Sequence, residues 1–383
     1  MTSGDLRGGV LMTMLRPTQG GADRVAVLLA NGFVRAGIPC GIFLLREGGE
    51  GRAALLQLLD SAVILRSAGP SLGSRHLDLI RGISAIRREV ARSEPALVLA
   101  SSNNMGLVTR LAAGARSGAG PRYAMKVTNP VVRPRDRGPF LRFYRHHLYG
   151  FIFRRYERIL TLTLPERDRL SHMYPADAAK FETVPNPYVS QAMLDGTGQR
   201  RRSGPPIILA LARMMPQKRL DRLLRAFAMA NCTDARLVIL GDGPERPRLE
   251  RLSRSLGLAG RVEMPGFVED VVPWLRRADV YALSSDYEGL PAVVIEALAC
   301  NVPVVTTNCF DGAEALLAQA EGCFVVPRTD LSAFARALDA SLASTGSHNG
   351  LREIASGYVI ERAVAAHVEE LRPLLRPIGR DLN

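Results

Sequence analysis

Short apolar runs and helix-period segments take turns along nearly the whole 383-residue chain, and this alternation narrows the available folds more than any other feature. Residues 10–15 and 40–45 read as short buried strands. Between them, 22–35 places Val25, Leu28, Leu29 and Phe33 at helical spacing, and Gly37 ends the run. Further strands are expected at 96–100 and 159–164, with helical stretches between. A polar, Gly- and Arg-rich segment, 196–206, interrupts the pattern as a linker. The alternation then restarts with strands at 207–212, 236–240, 261–264, 279–283, 302–306 and 323–326. Helices are expected between and after them at 220–230, 245–256, 271–276, 291–299, 313–320 and 331–343. The expected fold is therefore α/β, with two doubly wound Rossmann-like domains facing across a cleft. Their spans are 1–195 and 207–357, and 358–383 follows as a last helical segment. Open parallel sheets bind ligands at the carboxyl ends of their strands, so the chemistry is expected there.

The length suits two domains at roughly 150 residues each. The composition, 47% hydrophobic and 23% charged, excludes a disordered or collagen-like chain. No apolar run approaches the roughly 20 residues of a membrane helix, and 10–15 is too short and poorly flanked for a signal peptide. The expected location is the cytoplasm. Five cysteines, with no CxxC and no His at zinc-ligand spacing, read as core thiols.

The net charge of +13 is concentrated in the first half: residues 1–196 hold 27 basic and 15 acidic side chains, a net of +12. It peaks over 131–160, where Arg133, Arg135, Arg137, Arg142, Arg145, Arg154, Arg155 and Arg158 oppose only Asp136 and Glu157. Phe140, Phe143, Tyr144, Tyr149, Phe151 and Phe153 are interleaved. Such a stretch fits an anionic membrane surface, which would make the chain peripheral on the inner face of the plasma membrane; the plain alternative is a solvated helix face. Nucleic acid is not an expected partner.

The strongest local signal runs from Ser285 to Ala299. Gly289 allows close backbone approach, Pro291 suits a helix start, and the free N–H groups of that first turn favour an anion. Glu296 interrupts an apolar run, and a carboxylate there needs donors such as ribose hydroxyls. Glu288 falls in the preceding loop, in reach of a second part of the same ligand. After the strand at 207–212, Arg213 and Lys218 stand five residues apart in a loop, a spacing suited to clamping a diphosphate. Only three lysines accompany 47 arginines, which makes Lys218 informative. Gly20-Gly21 lies between the first strand and the first helix. Gly241-Asp-Gly243-Pro244 and Pro265-Gly266-Phe267-Val268 end two later strands, the latter able to frame a nucleobase with its backbone or to serve as a plain turn. Neither GxGxxG, GxxxxGK[ST] nor HExxH occurs, and there is no Asp-x-Asp pair to hold a metal on a diphosphate. Cofactors are accordingly expected to be none, with no metal required.

Together these residues resemble the retaining GT-B glycosyltransferases of the GT4 type. The family's G-R-L-x-x-x-K-G-x-D loop corresponds to 212–221, its G-D-G-P turn to 241–244, its S-x-x-E-G-x-P-x-x-x-x-E-A-x-A segment to 285–299, and its G-G-A-E-R to 20–24. The resemblance implies that Arg213 and Lys218 bind the donor diphosphate and Glu296 holds the ribose. Glu288, with the backbone of Gly289, Leu290 and Pro291, would hold the donor sugar, and Gly266 and Val268 would lie at the base. Gly21 would close on the phosphates from the first domain. Asn129 stands where the family often has a histidine, able to hydrogen-bond the sugar but not to transfer a proton. Asp311-Gly312-Ala313-Glu314 replaces the usual G-G-x-x-E. The implied partners are a nucleotide sugar and a glycan or lipid-linked acceptor, and the segment 358–375 would cross back to the first domain. Two alternatives stand beside transfer: a sugar-nucleotide epimerase of the same architecture, and a non-catalytic basic binding protein.

Overall fold

The computed structural model describes residues 6–17, 20–48, 52–114, 120–132, 138–196, 204–344 and 350–375. The chain divides into two compact units, Met1–Pro187 with Ile360–Asn383, and Tyr188–Val359. The seam precedes the expected 196–206 linker, most of which lies outside the described residues. Within the second unit, the Tyr188 hydroxyl donates to the Leu290 carbonyl at 2.9 Å and Val189 bridges Val359, so this stretch belongs to the second unit.

The first unit is a parallel sheet of β1 (Val10–Met14), β2 (Cys40–Leu44), β3 (Ile64–Ser67), β4 (Leu97–Ala100), β5 (Arg122–Lys126), β6 (Arg158–Thr161) and β7 (Phe181–Thr183), in the order β3-β2-β1-β4-β5-β6-β7. Between them run α1 (Gly21–Arg35), α2 (Arg52–Gln57), α3 (Arg75–Ser93), α4 (Asn103–Ala112), α5 (Pro139–Phe153) and α6 (Leu164–Met173). Sheet residues Leu11, Phe43, Val98, Met125 and Ile159 meet Ile86, Met105, Ile152 and Phe153 from the helices in one buried core.

The second unit opens with α7 (Gln191–Leu194). It continues with β8 (Ile207–Leu211), α8 (Leu220–Met229), β9 (Arg236–Leu240), α9 (Arg246–Ser255), β10 (Val262–Gly266), α10 (Val272–Arg277) and β11 (Val280–Leu283). It closes with α11 (Ala292–Ala299), β12 (Val304–Thr307), α12 (Ala313–Leu317), β13 (Phe324–Val326), α13 (Leu331–Ala343) and α14 (Leu351–Ser356). The strand order is β10-β9-β8-β11-β12-β13, again all parallel. Each sheet reverses its winding once, between β1 and β4 and between β8 and β11. Both units are therefore doubly wound and Rossmann-like.

Three strands were not legible as such. β3 is half-exposed throughout, β7 has three residues, and β5 begins and ends on a cation. The strand expected at 159–164 stops at Thr161, because Thr163 caps α6: its hydroxyl accepts from the Glu166 N–H, and the Glu166 carboxylate accepts from the Leu162 N–H at 3.0 Å.

The last helix, α15 (Ile360–Leu371), packs on α1 within the first unit. A Cβ at Gly32 would lie 2.0 Å from Val364 Cγ1, so only glycine permits this approach. Beneath it, the fully buried Lys126 amine donates to His367 Nε2, while His367 Nδ1–H donates to the Ala363 carbonyl. Burial lowers the Lys126 pKa from 10.5 to about 7. It also holds His367 well below its ordinary value, with the neighbouring amine adding to the effect.

Between pH 7 and 10.5 the unfolded chain therefore binds a proton at Lys126 that the folded chain lacks. Stability should rise with pH across that window, by at most about 1.4 kcal/mol per pH unit from this group. The double variant Lys126→Met/His367→Leu is expected to remove this rise and to raise the melting temperature at pH 7. Thermal unfolding followed by circular dichroism at several pH values checks it; an unchanged pH slope would contradict the assignment.

Candidate functional site

The reversal between β8 and β11 sets the loops that follow these two strands side by side at the carboxyl edge of the second sheet, in the register Val280↔Ile208 and Tyr281↔Leu209. The first loop holds Arg213 and Lys218, and the second holds Glu288, Gly289, Leu290 and Pro291. Main-chain and side-chain bonds join them. The Asp286 N–H donates to the Gln217 carbonyl at 2.9 Å, Gln217 Nε2 to the Tyr287 carbonyl at 2.6 Å, and Ser284 Oγ to the Lys218 carbonyl at 2.9 Å. The Asp286 carboxylate receives Arg222 at 2.9 Å and Arg219 at 3.4 Å, and its carbonyl receives Arg328 at 2.8 Å.

Lys218 and Glu288 come together directly, Nζ to Oε1 at 2.7 Å, with the lysine partly open to solvent and the carboxylate largely covered. The Glu288 N–H is held by the Cys309 carbonyl at 2.7 Å. Arg213 is exposed, and its guanidinium has no hydrogen-bond or ion-pair partner among the described residues. Pro291 caps α11 from an extended conformation, and Glu296 lies in the second turn of that helix, 5% exposed among Val294, Ile295, Ala297 and Leu298. Tyr281, on β11, feels both carboxylates: burial raises its phenol pKa, and the charges of Glu288 and Glu296 raise it further. Burial likewise pushes the Cys309 thiol up to about 12, with Glu288 as the next cause.

The two glycine turns shape the Arg213 loop. Gly241 has φ +114°, and its N–H donates to the Gly266 carbonyl at 2.7 Å. A Cβ on Gly241 would stand 2.2 Å from the Ala212 carbonyl oxygen, so the turn can lie against the loop only without a side chain. Gly266 ends β10 at φ +98°, followed by the exposed Phe267 and then Val268.

Gly21 and Asn129 belong to the first unit. Gly21 begins α1 after β1, at that sheet's own reversal, with Gly20 as the cap whose carbonyl receives the Asp23 and Arg24 N–H groups. Asn129 follows β5. Its loop is fixed by Asn103, whose Oδ1 accepts from the Thr128 N–H at 2.7 Å and the Asn129 N–H at 3.2 Å, and whose Nδ2 donates to the Asn129 carbonyl at 3.0 Å. Sequence reasoning overlooked Asn103; the signal was a Ser-Ser-Asn-Asn run directly after an apolar strand. It also overlooked Asp286, Arg222 and Arg328, which order the Glu288 loop. Among the described residues no group of three or more His, Cys, Asp or Glu is placed to hold a metal ion.

With this geometry in place, comparison with known proteins identifies the class. The profile of Glycosyl transferases group 1 matches residues 197–357, and that of Glycosyltransferase Family 4 matches residues 19–190. The chain belongs to the GT-B glycosyltransferases of the GT4 type. It is 32% identical over 148 residues to a lipopolysaccharide core biosynthesis glycosyltransferase, LpsE, of Rhizobium meliloti, covering 39% of this chain and 43% of that protein. It is also 32% identical over 186 residues to a GDP-mannose-dependent alpha-(1-6)-phosphatidylinositol monomannoside mannosyltransferase of Mycolicibacterium smegmatis, covering 45% and 47%. The chain thus spans about half the length of the curated relatives it matches. Among solved structures, Anabaena Alr3699/HepE in complex with UDP-glucose shares the fold at a TM-score of 0.70 and 18% identity, over 95% of this chain and 100% of that one.

The contact at Gly241 can be tested against a neutral glycine. Gly257 also has a positive φ, +71°, but open space where a Cβ would fall. Gly257→Ala is expected to cost about 1 kcal/mol, and Gly241→Ala at least twice that, because strain and collision add. Chemical denaturation read through Trp274, on α10 of the same unit, would measure both; equal losses would mean that the collision is relieved elsewhere.

Proposed function

We propose that the chain moves a sugar from a nucleotide-sugar donor to a hydroxyl of a glycan or lipid-linked acceptor in cell-surface polysaccharide synthesis, with retention of configuration and without a metal. The observation that carries this reading is the single constellation at the β8–β11 reversal: an exposed Arg213, a Lys218–Glu288 pair, and the start of α11 with Glu296 buried in it. Family membership supports it. So do HepE, solved with UDP and with UDP-glucose, and the relatives named for lipopolysaccharide core and phosphatidylinositol mannoside synthesis.

In this reading the diphosphate lies against Arg213 and Lys218, and the N–H groups at the start of α11 complete the anion site. Glu296 receives the ribose hydroxyls as hydrogen-bond donors to its carboxylate. Glu288 orients the Lys218 ammonium and faces hydroxyls of the sugar. As the bond from the anomeric carbon to the diphosphate breaks, negative charge grows on the leaving oxygen, and fixed cations stabilise it more than they stabilise the bound donor. The acceptor oxygen forms its bond on the face that the diphosphate vacates, so configuration is retained. Because arginine, lysine and helix N–H groups neutralise the diphosphate, no divalent ion is called for. Gly21 and Asn129 of the first unit are assigned to the phosphates and the sugar, with Asn129 as a hydrogen-bonding group only. Gly266 and Val268 are assigned to the base.

A thermal-shift series of UDP-, GDP- and ADP-sugars is expected to reveal one stabilising donor, which names base and sugar together. With that donor and an acceptor extract, Lys218→Ala and Glu296→Ala should each lower turnover roughly a hundredfold or more without lowering the melting temperature of the free protein. Activity should survive chelation, and NMR of the product should show the donor's anomeric configuration. Near-normal turnover of the Lys218 variant would end this assignment, and isomerised sugar nucleotide formed without acceptor would replace transfer by epimerisation.

A further inference from the structure

The short segment from Glu288 to Pro291 is held at both ends and open between them. At one end the Glu288 N–H donates to the Cys309 carbonyl at 2.7 Å; at the other the Leu290 carbonyl accepts from the Tyr188 hydroxyl at 2.9 Å. Between these points the N–H groups of Gly289 and Leu290 have no hydrogen-bond partner among the described residues, although Leu290 is only 4% exposed. Buried N–H groups are nearly always paired, so this pair, directly ahead of α11, points to an acceptor that a ligand brings.

The bond at Leu290 decides where that pair aims. Proline has no N–H, so the peptide unit joining Leu290 to Pro291 can be held only through its carbonyl. The Pro291 ring fixes its own φ, here −71°, and confines the residue before it to extended backbone, yet leaves that residue's ψ a range of about 40°. The Tyr188 hydroxyl removes this remaining freedom. With the Leu290 carbonyl and the Glu288 N–H both fixed, Gly289 is the one residue left to turn, and the direction of the two N–H groups follows from the two end bonds.

Tyr188 is itself firmly held. It is buried, follows Pro185-Asn186-Pro187, and stacks on Tyr358 with ring centroids 6.2 Å apart and planes 19° from parallel. Its N–H and that of Val189 both donate to the Tyr358 carbonyl at 3.1 Å, and Val189 bridges Val359 in parallel. Tyr188 is the first residue of the second unit and Tyr358 the last but one. The points where the chain enters and leaves this unit are thus clamped together, and one hydroxyl carries that anchor to a loop 102 positions away.

We propose that Tyr188 is a positioning residue for the donor: through the Leu290 carbonyl it aims the Gly289 and Leu290 N–H groups at the sugar end of the nucleotide sugar. The inference rests on the transfer reading above, in which the nucleoside diphosphate end belongs to Arg213, Lys218 and Glu296. The test is isothermal titration of the whole chain with the sugar nucleotide that stabilises it in the thermal-shift series, and with the matching nucleoside diphosphate. Tyr188→Phe keeps the ring and removes the hydroxyl. Its Kd for the sugar nucleotide is expected to rise about tenfold, and its Kd for the nucleoside diphosphate by no more than about threefold. Tyr156→Phe is the control, since it removes the same kind of bond, a buried phenol on the Gly106 carbonyl at 2.7 Å, from the first unit. It should lower the melting temperature comparably and leave both Kd values unchanged.

Should Tyr188→Phe fail to fold, Tyr358→Leu, which takes away the ring that Tyr188 leans on, is titrated in its place with the same split expected. An equal change for both ligands, no change in a folded variant, or the same split in the Tyr156 variant overturns the positioning role and leaves the transfer reading standing. A wild-type chain that binds no sugar nucleotide overturns both.

Discussion

The site in the second unit depends on one topological constraint. Parallel strands joined by right-handed crossovers must place their helices on one face until the winding reverses, and at the reversal two neighbouring strands send their loops to opposite faces. Here those strands are β8 and β11. The gap that opens beyond their carboxyl ends cannot be filled by either loop's own helix. Arg213 and Lys218 come to its rim from one side, and Glu288 and the start of α11 from the other. The charges gathered there are separated by 70 residues in the chain and by one hydrogen-bonded strand pair in space.

Holding those loops requires more than topology, and Arg219 illustrates the balance. The family's loop pattern has glycine after the lysine; this chain has Arg219, and its φ of +47° is the left-handed conformation that glycine adopts without strain. The strain, about 1 kcal/mol, is offset by ion pairs from the same side chain to Asp221 at 2.9 Å and Asp286 at 3.4 Å. Asp286 is shared with the buried Arg222, so the backbone turn that presents Lys218 and the one that presents Glu288 are locked through one carboxylate. A departure from the motif is thereby absorbed by charge, in a chain where arginine is the abundant cation.

How much of this was legible in the sequence follows from how local each signal is. The second sheet could be read strand by strand because β8, β9, β11 and β12 are largely apolar and mostly buried, as parallel strands covered on both faces must be. The first sheet was less readable. β5 closes on Lys126, a residue that no hydropathy pattern places in a core; its burial is made possible by His367, 241 positions away. The site residues were legible as chemistry at the ends of strands, but not their mutual arrangement. Arg213 and Lys218 read as a matched pair of cations, whereas the structure leaves Arg213 to solvent and gives Lys218 to Glu288. Spacing along a loop carries no information about a carboxylate arriving from another strand.

That asymmetry bears on how such a site would work. A lysine held at 2.7 Å by a mostly covered carboxylate keeps one orientation and loses little side-chain entropy when a phosphate arrives, yet its charge is already half spent on its partner. Arg213, exposed and without a partner among the described residues, has its full charge available but must be ordered. One cation is thus positioned in advance and the other is drawn in by the ligand's charge. In the proposed transfer, the diphosphate's negative charge grows as the sugar departs, so a pre-set Lys218 would act at the leaving oxygen while Arg213 would serve mainly to capture the donor. The division predicts different kinetic signatures for the two residues, kcat for the first and KM for the second, and it follows from which cation the Glu288 loop can reach.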